Sequence, residues 1–411
     1  RAAAEKATQI REATEKATLN TFRTHRPSEY FSHLDYHESF EKHHSKMEEL
    51  YRFGLCFPPE MFRGKTVVDL GCGTGENTVS MAIWGAQCTL VEVNDEAVAR
   101  ARGVFSQLAP DDNYRFLNRS IYDLEHDGSE LGSFDIAHSR GVLMHVADKP
   151  KAFAILAGLV KDGGYVIYGD RNTAGGVQEM LQRMAIYQLA GDSSEMICSV
   201  AELLFEEDID RSHQALPRTR EAIIFDRWVI QQQDDPSVSE VLGMFETHGL
   251  RLYSTWPPMG NLVSGDSTLS KRPIPRGDEG FVTLTETLWM IQNAGHEENI
   301  QSIQGVKLHT FHEGLLEFSE KLRNLQIGDR PDFDQIKELA QKMKAESNSA
   351  FNFGNLETRM HKFFTEVSRW VELLASGADE NDLLSAKNEF KVLFRGLMGV
   401  RHVDYVGYKE A

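Results

Sequence analysis

The stretch TVVDLGCGTGENT, Thr66–Thr78, decides the fold. Its apolar first half follows Gly64 and Lys65 and leads into alternate glycines, a pattern that predicts a buried strand, a tight turn and the start of a helix. Glycine suits such a turn because, without a Cβ, it adopts the turn dihedrals and lets backbone N–H groups approach a ligand closely. The helix predicted from about Glu76 to Trp84 directs its N-terminal donors into the same space. The stretch is therefore typical of a nucleotide-binding βα unit.

A second predicted strand supplies an acid that suits a ribose. The apolar run Cys88–Val91 ends at Glu92, 17 residues after Gly75, and Asn94 then caps a helix predicted from about Asp95 to Leu108. A carboxylate at the end of the second strand of a βαβ unit can accept hydrogen bonds from both ribose hydroxyls. We therefore interpret Glu92 as a ribose ligand.

Four segments in this order resemble those of the class I S-adenosylmethionine-dependent methyltransferases. They are Val68–Gly75, Val91–Asn94, Phe134–His145 and Leu159–Tyr168. The third glycine comes one residue earlier than in the Gly-x-Gly-x-x-Gly turn of NAD-binding domains, which argues against a dehydrogenase. The turn after the fourth predicted strand lacks the Asn/Asp-Pro-Pro-aromatic sequence of base amine methylases and the Pro-Cys nucleophile of cytosine-C5 enzymes. It is similar to the turn of the small-molecule members instead.

The resemblance implies an α/β, Rossmann-like, mostly parallel sheet with helices on both faces, and S-adenosyl-L-methionine as the cofactor. Ser120, Ile121 and Asp123 are expected at the adenine, although they would equally suit an ordinary loop with an Asx-type turn. The whole expected cofactor set is Asp69, Gly71, Cys72, Gly73, Gly75, Asn77, Thr78, Glu92, Val93, Asn94, Ser120, Ile121, Tyr122, Asp123 and Ser139.

Two histidines in the turn after the fourth predicted strand are candidate general bases. An imidazole titrates near neutral pH, so His138 or His145 could remove a proton from the acceptor as the methyl group arrives. In related proteins the residue at His145 is often structural, and that alternative stays open. Arg140 lies in the same turn and completes the candidate catalytic set.

Candidate substrate contacts come from two other places. The resemblance implies an N-terminal helix that folds over the cofactor pocket, with Tyr30 and Tyr36 as lid residues. Asp170, Arg171 and Asn172 follow the fifth predicted strand, and ligands collect beyond the carboxyl ends of the strands in an open α/β sheet. Asp170 and Arg171 could position a polar acceptor, or could pair with each other.

The chain beyond the core is predicted from its apolar patterns. Residues 1–22 are expected to be a linker or a solvated helix, and residues 222–229 are expected to be extended. Residues 400–409 are predicted as an antiparallel seventh strand beside strand six at the sheet edge. The long helical block before them is then a large C-terminal insertion, or alternatively a separate domain. The expected division is an N-terminal helical lid over 1–58, a core over 59–260 with a helical insertion at 172–220, a helical domain over 261–397 and a terminal strand over 398–411.

The composition of the chain limits the classes of partner that we expect it to bind. With 411 residues, 41% of them hydrophobic, the chain can bury a substantial core, and its net charge of −18 argues against a nucleic acid as the main partner. That charge does not exclude a local basic site. No apolar run approaches the ~18 residues that span a bilayer, so no membrane partner is expected. The four cysteines form no Cys-x-x-Cys pair, which predicts a reduced protein of the cytoplasm with no metal site.

The sequence thus predicts a methyltransferase that modifies an oxygen or nitrogen atom of a small molecule, such as a metabolite, a sugar or a natural-product intermediate. A protein or RNA methyltransferase remains an alternative, with the C-terminal helices as its docking surface. A non-catalytic protein that binds S-adenosylmethionine for regulation or assembly is the second alternative. The long amphipathic C-terminal helices could also hold two subunits together as a homodimer. The first residue is Arg1, as expected of a segment of a longer polypeptide or of a trimmed chain.

Overall fold

The structure is a computed structural model. It describes residues 13, 15–24, 36–110, 113–125, 133–191, 193–215, 218–230, 233–259, 286, 305–350, 355–396 and 398–410, without the side chains of 36–38, 305–308 and 355–358. Tyr30 and the side chain of Tyr36, two of the candidate substrate contacts, lie outside the described residues, and so does most of the segment 261–304.

Seven strands in the described ranges form one sheet in the order β3-β2-β1-β4-β5-β7-β6. The strands β1 to β5 are parallel, and β7 runs antiparallel to both of its neighbours. The predicted Rossmann-like α/β fold with a terminal antiparallel strand is therefore confirmed. The bounds are β1 Thr66–Leu70, β2 Gln87–Val91, β3 Tyr114–Leu117, β4 Phe134–Arg140, β5 Val160–Arg171, β6 Leu250–Trp256 and β7 His402–Lys409.

Helices alternate with the parallel strands and then follow them. Within the described ranges they are α1 over 15–24, α2 Tyr36–Glu49, α3 Thr78–Ile83, α4 Asp95–Leu108, α5 Lys149–Gly158, α6 Val177–Ala190, α7 Ser194–Ala215, α8 Arg220–Ile224, α9 Val238–Thr247, α10 Gly305–Arg323, α11 Phe333–Ala350, α12 Asn355–Ala375 and α13 Glu380–Glu389. Short π-helical turns, Leu50–Gly54 and Phe225–Val229, follow α2 and α8. None of the helices in the described part of the chain combines the length and the apolarity needed to cross a membrane.

The terminal strand lies inside the sheet. β7 pairs with β5 through Tyr168 opposite Tyr405 and with β6 through Trp256 opposite Asp404. The predicted antiparallel place beside β6 is therefore confirmed, and β6 forms the edge of the sheet. The reason is burial, because residues 403–407 are all buried and a strand with both faces covered gains most when both of its ladders are paired.

The segment 222–229 is helical, so the extended conformation expected for it is wrong. The Thr219 side chain accepts a hydrogen bond from the backbone N–H of Ala222 and begins α8, and the π-helical turn continues it. A short apolar run is compatible with either a buried helix or a strand, because a segment covered on all sides shows no periodicity. Here α6 and α7 supply that cover.

The inserted helices and the C-terminal helices share one hydrophobic core. Trp228 of the π-helical turn contacts Phe205 of α7, and Phe205 contacts Trp370 of α12. These three rings belong to a single buried cluster that also includes apolar side chains of α6, α10, α11 and α13. The sequence division treats residues 172–220 and 261–397 as two blocks, whereas the described parts of both pack as one layer.

Candidate functional site

The turn after β1 uses its glycines for two different purposes. Gly71 and Gly73 have φ angles of +74° and +56°, in the left-handed region that strains other residues. A Cβ on Gly71 would lie 2.4 Å from Cγ1 of Val142, so this glycine permits the turn after β4 to pack against the turn after β1. A Cβ on Gly73 would meet no protein atom within 4 Å, and this residue lines a cavity. The backbone at Gly73 therefore borders open space in the cavity.

Glu92 lies next to Gly73, on the side of the cavity formed by β2. Its Oε2 accepts a hydrogen bond from the backbone N–H of Gly73 at 2.9 Å, and its Oε1 accepts one from Asn94 at 2.8 Å. Burial raises the pKa of Glu92, and the two backbone donors oppose that rise. Each carboxylate oxygen carries two lone pairs, so the group keeps acceptor capacity for a diol. The side chain joins the glycine turn to β2 and still faces the cavity.

The cavity has a volume of about 860 Å³ and lies over the carboxyl ends of β1, β2, β4 and β5. We call its β1–β2 side the cofactor end. Most of the residues predicted to bind the cofactor line this end. They are Gly71, Cys72, Gly73, Asn77, Glu92, Val93, Asn94, Ser120 and Ile121.

Three residues predicted to touch the cofactor lie behind the lining instead. Asp69 is buried and accepts a hydrogen bond from the Thr78 hydroxyl. The Ser139 hydroxyl donates to the carbonyl of Leu70 at 3.0 Å and so joins β4 to β1. These side chains hold the strand ends together and are not part of the cavity wall.

The other three predicted cofactor residues outside the lining have structural partners of their own. A Cβ on Gly75 would lie 2.8 Å from the Phe105 ring, so this glycine lets α4 pack closely. Asp123 accepts a hydrogen bond from the backbone N–H of Ser120, and the Tyr122 hydroxyl donates to the carbonyl of Asp148. Asp123 and Tyr122 thus shape the turn that presents Ser120 and Ile121 to the cavity.

His138 is not placed to act as a general base. Its Nδ1 lies 2.7 Å from Oδ1 of Asp69 and its Nε2 lies 2.9 Å from the hydroxyl of Tyr51. All three side chains are buried, and burial raises the pKa of Tyr51 above its ordinary value. Both ring nitrogens are therefore committed to partners away from the cavity, and the sequence prediction of a base at this position is wrong. His138 positions Asp69 and connects β4 to the π-helical turn after α2.

Arg140 lines the cavity, but its guanidinium is engaged with the terminal strand. Its Nε lies 2.6 Å from Oδ1 of Asp404 and its Nη2 lies 3.0 Å from Oδ2. Burial alone would raise the pKa of Asp404, yet the charges of Arg140 and His402 hold it well below its usual range. This bidentate ion pair joins β4 to β7 at the edge of the cavity. Its geometry favours a positioning role over the catalytic role that the sequence suggested.

His145 is the candidate base that faces the cavity. It is buried in the 3₁₀ turn Leu143–His145, and its ring packs edge-on against Phe22 with 5.4 Å between the ring centroids. Phe22 and Leu19 lie on α1 and also line the cavity, and Arg23 of the same helix pairs with Asp95. Residues 15–22 are thus helical, as one of the two expectations for residues 1–22 had it, but Leu19 and Phe22 face the cavity and the helix covers it.

His43 is a second histidine that lines the cavity, and the sequence pattern did not predict it. Its Nε2 lies 3.1 Å from Oδ1 of Asn77, and burial lowers its pKa to about 4, helped by the charge of Arg140. His43 is therefore neutral at pH 7. His43, Lys46, Met47 and Leu50 all line the cavity at helical spacings of three, four and seven, and this shared face is the signal that would have found them.

The opposite end of the cavity carries four arginines, which we call the arginine wall. They are Arg171, Arg218, Arg227 and Arg401. Two carboxylates lie among them. Asp226 is 3.2 Å from Arg218 and 3.4 Å from Arg171, and Glu179 pairs with Arg171 and Arg401. Burial would raise the pKa of Glu179, but the arginine charges lower it to about 2.

Of the three predicted substrate contacts after β5, only Arg171 lines the cavity. Asp170 accepts a hydrogen bond from the Tyr168 hydroxyl at 2.6 Å, and burial raises its pKa to about 6. Asn172 donates to Glu286 at 3.1 Å. Arg171 pairs with Glu179 and Asp226, so the suggested partnership between Asp170 and Arg171 does not form. Among the described residues, no three His, Cys, Asp or Glu side chains are grouped to hold a metal ion.

Comparison with known proteins places this site in a family. The family profile described as "Methyltransferase domain" matches residues 41–201. The chain is similar to the ubiquinone biosynthesis O-methyltransferase of Aromatoleum aromaticum, with 32% identity over 109 residues, 26% of this chain and 45% of that protein. It is also similar to the trans-aconitate 2-methyltransferase of Deinococcus radiodurans, with 36% identity over 98 residues, 24% of this chain and 34% of that protein.

A solved structure is similar as well. The magnesium protoporphyrin IX methyltransferase of Synechocystis PCC 6803 with bound SAH is 15% identical, with a TM-score of 0.34, over 60% of this chain and 91% of that one. The chain spans less than half the length of the two curated relatives. The matched segment contains the glycine turn, Glu92, Ser120 and His145, whose open backbone and acceptor groups suit a nucleoside. Residues 41–201 therefore form a methyltransferase domain of the class I, S-adenosylmethionine-dependent type, with S-adenosylmethionine as its cofactor.

Proposed function

We propose that this protein transfers the methyl group of S-adenosylmethionine to an oxygen or nitrogen atom of a small molecule. The observation that carries the proposal is the single cavity that runs from Gly73 and Glu92 to the arginine wall under the cover of α1. One continuous space of about 860 Å³ can hold a nucleoside cofactor together with a small acceptor. The two curated relatives described above are named for small-molecule acceptors.

The cover over the cavity favours a small acceptor over a protein or an RNA. Leu19 and Phe22 of α1 lie against the cavity, and Phe22 contacts His145. A macromolecular acceptor would have to displace this helix in order to bring its target atom to His145. A small molecule needs only to fit beneath it, and exclusion of water by such a cover strengthens electrostatic interactions in the site.

We propose His145 as the residue that accepts a proton when the acceptor is a hydroxyl. The sulfonium of the bound cofactor supplies an activated methyl group, so the protein mainly has to align the acceptor and remove its proton. His145 and the carboxylate of Asp226 both line the cavity, and the charges of Arg218 and Arg171 outweigh burial and lower the pKa of Asp226. The carboxylate would stabilise a protonated imidazole.

The proposal is tested in two stages. Calorimetry with S-adenosylmethionine and S-adenosylhomocysteine measures binding at the cofactor end, and we expect both to bind. Release of S-adenosylhomocysteine is then followed with panels of phenols, hydroxy acids and amines. Turnover with any of them, together with its loss in His145→Gln and a changed pH profile, supports the proposal. Cofactor binding without turnover on any panel would favour the binding-protein alternative.

Three further predictions stay proposals. The division into lid, core, helical domain and terminal strand is supported by the return of β7 to the sheet, and limited proteolysis would test it. A homodimer through the C-terminal helices is tested by sedimentation. A cytoplasmic location is supported by the four cysteines, Cys56, Cys72, Cys88 and Cys198, which are all free thiols in the structure.

A further inference from the structure

We infer that the methyl acceptor is an anion and that its carboxylate binds the arginine wall. This inference rests on the proposed function, because it names the chemical class of the acceptor for that reaction. Its basis is the charge of the cavity, the composition of the wall and the position of the wall relative to the cofactor end.

The cavity has the opposite charge balance to the chain as a whole. The chain has 44 Lys and Arg residues against 62 Asp and Glu, but the cavity lining has nine against five, an excess of four positive charges. Three acids behind the lining reduce that excess, because Asp404 pairs with Arg140, Asp208 pairs with Arg227 and Glu96 pairs with Arg100. An excess of one remains in a partly enclosed space. A bound anion would compensate it, whereas a neutral acceptor would not.

The wall has more donors than its own acids can use. Four guanidinium groups carry about twenty N–H donors, while the three carboxylates that pair with them, Glu179, Asp226 and Asp208, offer about twelve acceptor positions. Gln233, the Asp226 carbonyl and the Ser212 hydroxyl accept further donors of Arg171 and Arg227. Glu179 and Asp226 hold Arg171, Arg218 and Arg401 in place, which reduces the conformational entropy that a ligand would otherwise have to remove. Arginine binds carboxylates through two parallel N–H···O hydrogen bonds, so a pre-ordered guanidinium group is well suited to this ligand.

The wall lies on the acceptor side of the sheet. Arg171 ends β5, Arg401 precedes β7, and Arg218 and Arg227 flank α8. Gly73 and Glu92, by contrast, follow β1 and β2. His145 follows β4, the strand between β1 and β5, and lines the same cavity. A carboxylate bound at the wall would therefore leave the rest of the acceptor directed towards His145.

The test uses the whole chain saturated with S-adenosylhomocysteine. The probes are 4-hydroxybenzoate, malate and glycolate, compared by calorimetry with 4-hydroxybenzamide, malamide (the diamide) and glycolamide, which keep the size and remove the carboxylate charge. We expect at least one acid to bind ten-fold or more tightly than its amide, because a charge-assisted hydrogen bond contributes more than a neutral one. Arg218→Gln and Arg401→Gln should each remove most of that preference, and Arg218→Lys should retain part of it.

Arg220→Gln is the matched control. Arg220 lies two residues beyond Arg218, pairs with Glu202 and Asp210, and does not line the cavity. Its replacement should leave acid binding unchanged, and thermal unfolding of all variants would show whether each remains folded.

Three results would overturn the inference. In the first, S-adenosylhomocysteine binds but none of the acids binds at millimolar concentration. In the second, acids and amides bind equally well. In the third, Arg218→Gln and Arg401→Gln lose affinity for S-adenosylhomocysteine instead of for the acid, which would assign the wall to the carboxylate of the cofactor. Failure of the proposed function is a distinct result, because the unmodified chain would then bind no cofactor or release no S-adenosylhomocysteine with any acceptor.

Discussion

The two ends of the cavity are built in different ways. The cofactor end consists of three short segments, around Gly73, Glu92 and Ser120, and it combines the backbone of the glycine turn with the carboxylates of Glu76 and Glu92. The arginine wall consists of side chains from β5, the residues before α8, the π-helical turn and the residue before β7. A site made of backbone depends on local turns, whereas a site made of long side chains depends on every element that anchors one of them.

The difference has an energetic consequence. The side chains at the acceptor end are buried in ion pairs that connect distant parts of the chain, as Arg401 connects to Glu179 and Arg140 to Asp404. Removing one partner leaves a buried charge without compensation, so such changes should affect folding as well as binding. Changes at the cofactor end should separate the two effects more cleanly.

The largest expected effect is at the pair that joins the acceptor end to the terminal strand. Arg140→Met should lower the free energy of unfolding by about 3 to 5 kcal/mol, because the buried Asp404 loses its bidentate partner and retains only the weaker contact with His402 at 3.2 Å. Urea denaturation measures this loss. The double variant Arg140→Met with Asp404→Leu removes the unpaired charge and should recover much of the stability. Unchanged stability together with a large loss of turnover would instead assign Arg140 a catalytic role.

At the cofactor end, Gly71→Ala should cost about 3 kcal/mol of unfolding free energy. The left-handed backbone contributes part of this cost and overlap with Val142 contributes the rest. Gly73→Ala sharpens the comparison, since its Cβ meets no protein atom and its cost should be only about 1 kcal/mol. It should nevertheless weaken S-adenosylhomocysteine binding, because the added methyl group enters the cavity. Equal destabilisation by the two variants would contradict this account of the turn.

Glu92→Ala should weaken S-adenosylhomocysteine binding roughly 10- to 100-fold, the effect of losing charge-assisted hydrogen bonds of about 1.5 to 3 kcal/mol. Calorimetry measures the change. Glu96→Ala, on the exposed first turn of α4, is the matched control and should have no effect. If Glu92→Ala binds as tightly as the unmodified chain, the ribose does not lie at Glu92.

The smallest expected effect is a pH dependence at His43. Its pKa in the folded chain is about 4, against an ordinary value of 6.5, so the unfolded chain takes up a proton first as the pH falls between these values. Stability should therefore decline from about pH 6.5 towards pH 4, by about 1 to 2 kcal/mol from this group. His43→Gln should make the decline shallower in urea denaturation across this range. Parallel curves for the two proteins would show that His43 is not buried as described.

Sequence reasoning located the cofactor end because its requirements are local. Gly71 and Gly73 are recognisable from dihedral needs alone, and Glu92 follows its strand at a fixed spacing. The same reasoning predicted His138 as a base, because the sequence does not show that Tyr51 and Asp69 form hydrogen bonds with both of its ring nitrogens. Tyr51 is 87 residues away along the chain, and no local pattern connects it to His138.

Sequence patterns predicted even fewer of the residues at the acceptor end of the cavity. Arg171 was predicted from its place at the end of β5, whereas Arg218, Arg227 and Arg401 were not predicted.

By itself, then, the amino-acid sequence determined the parallel core, the glycine turn and the acid that follows β2, since these depend on hydrophobic periodicity and backbone freedom within a few residues. Only the tertiary structure decided which side chains of α1 line the cavity, that β5 is the second partner of β7, and that four distant arginines form one wall. Those arrangements depend on burial and charge compensation between segments far apart in the chain, and a linear pattern does not record which distant charges will meet.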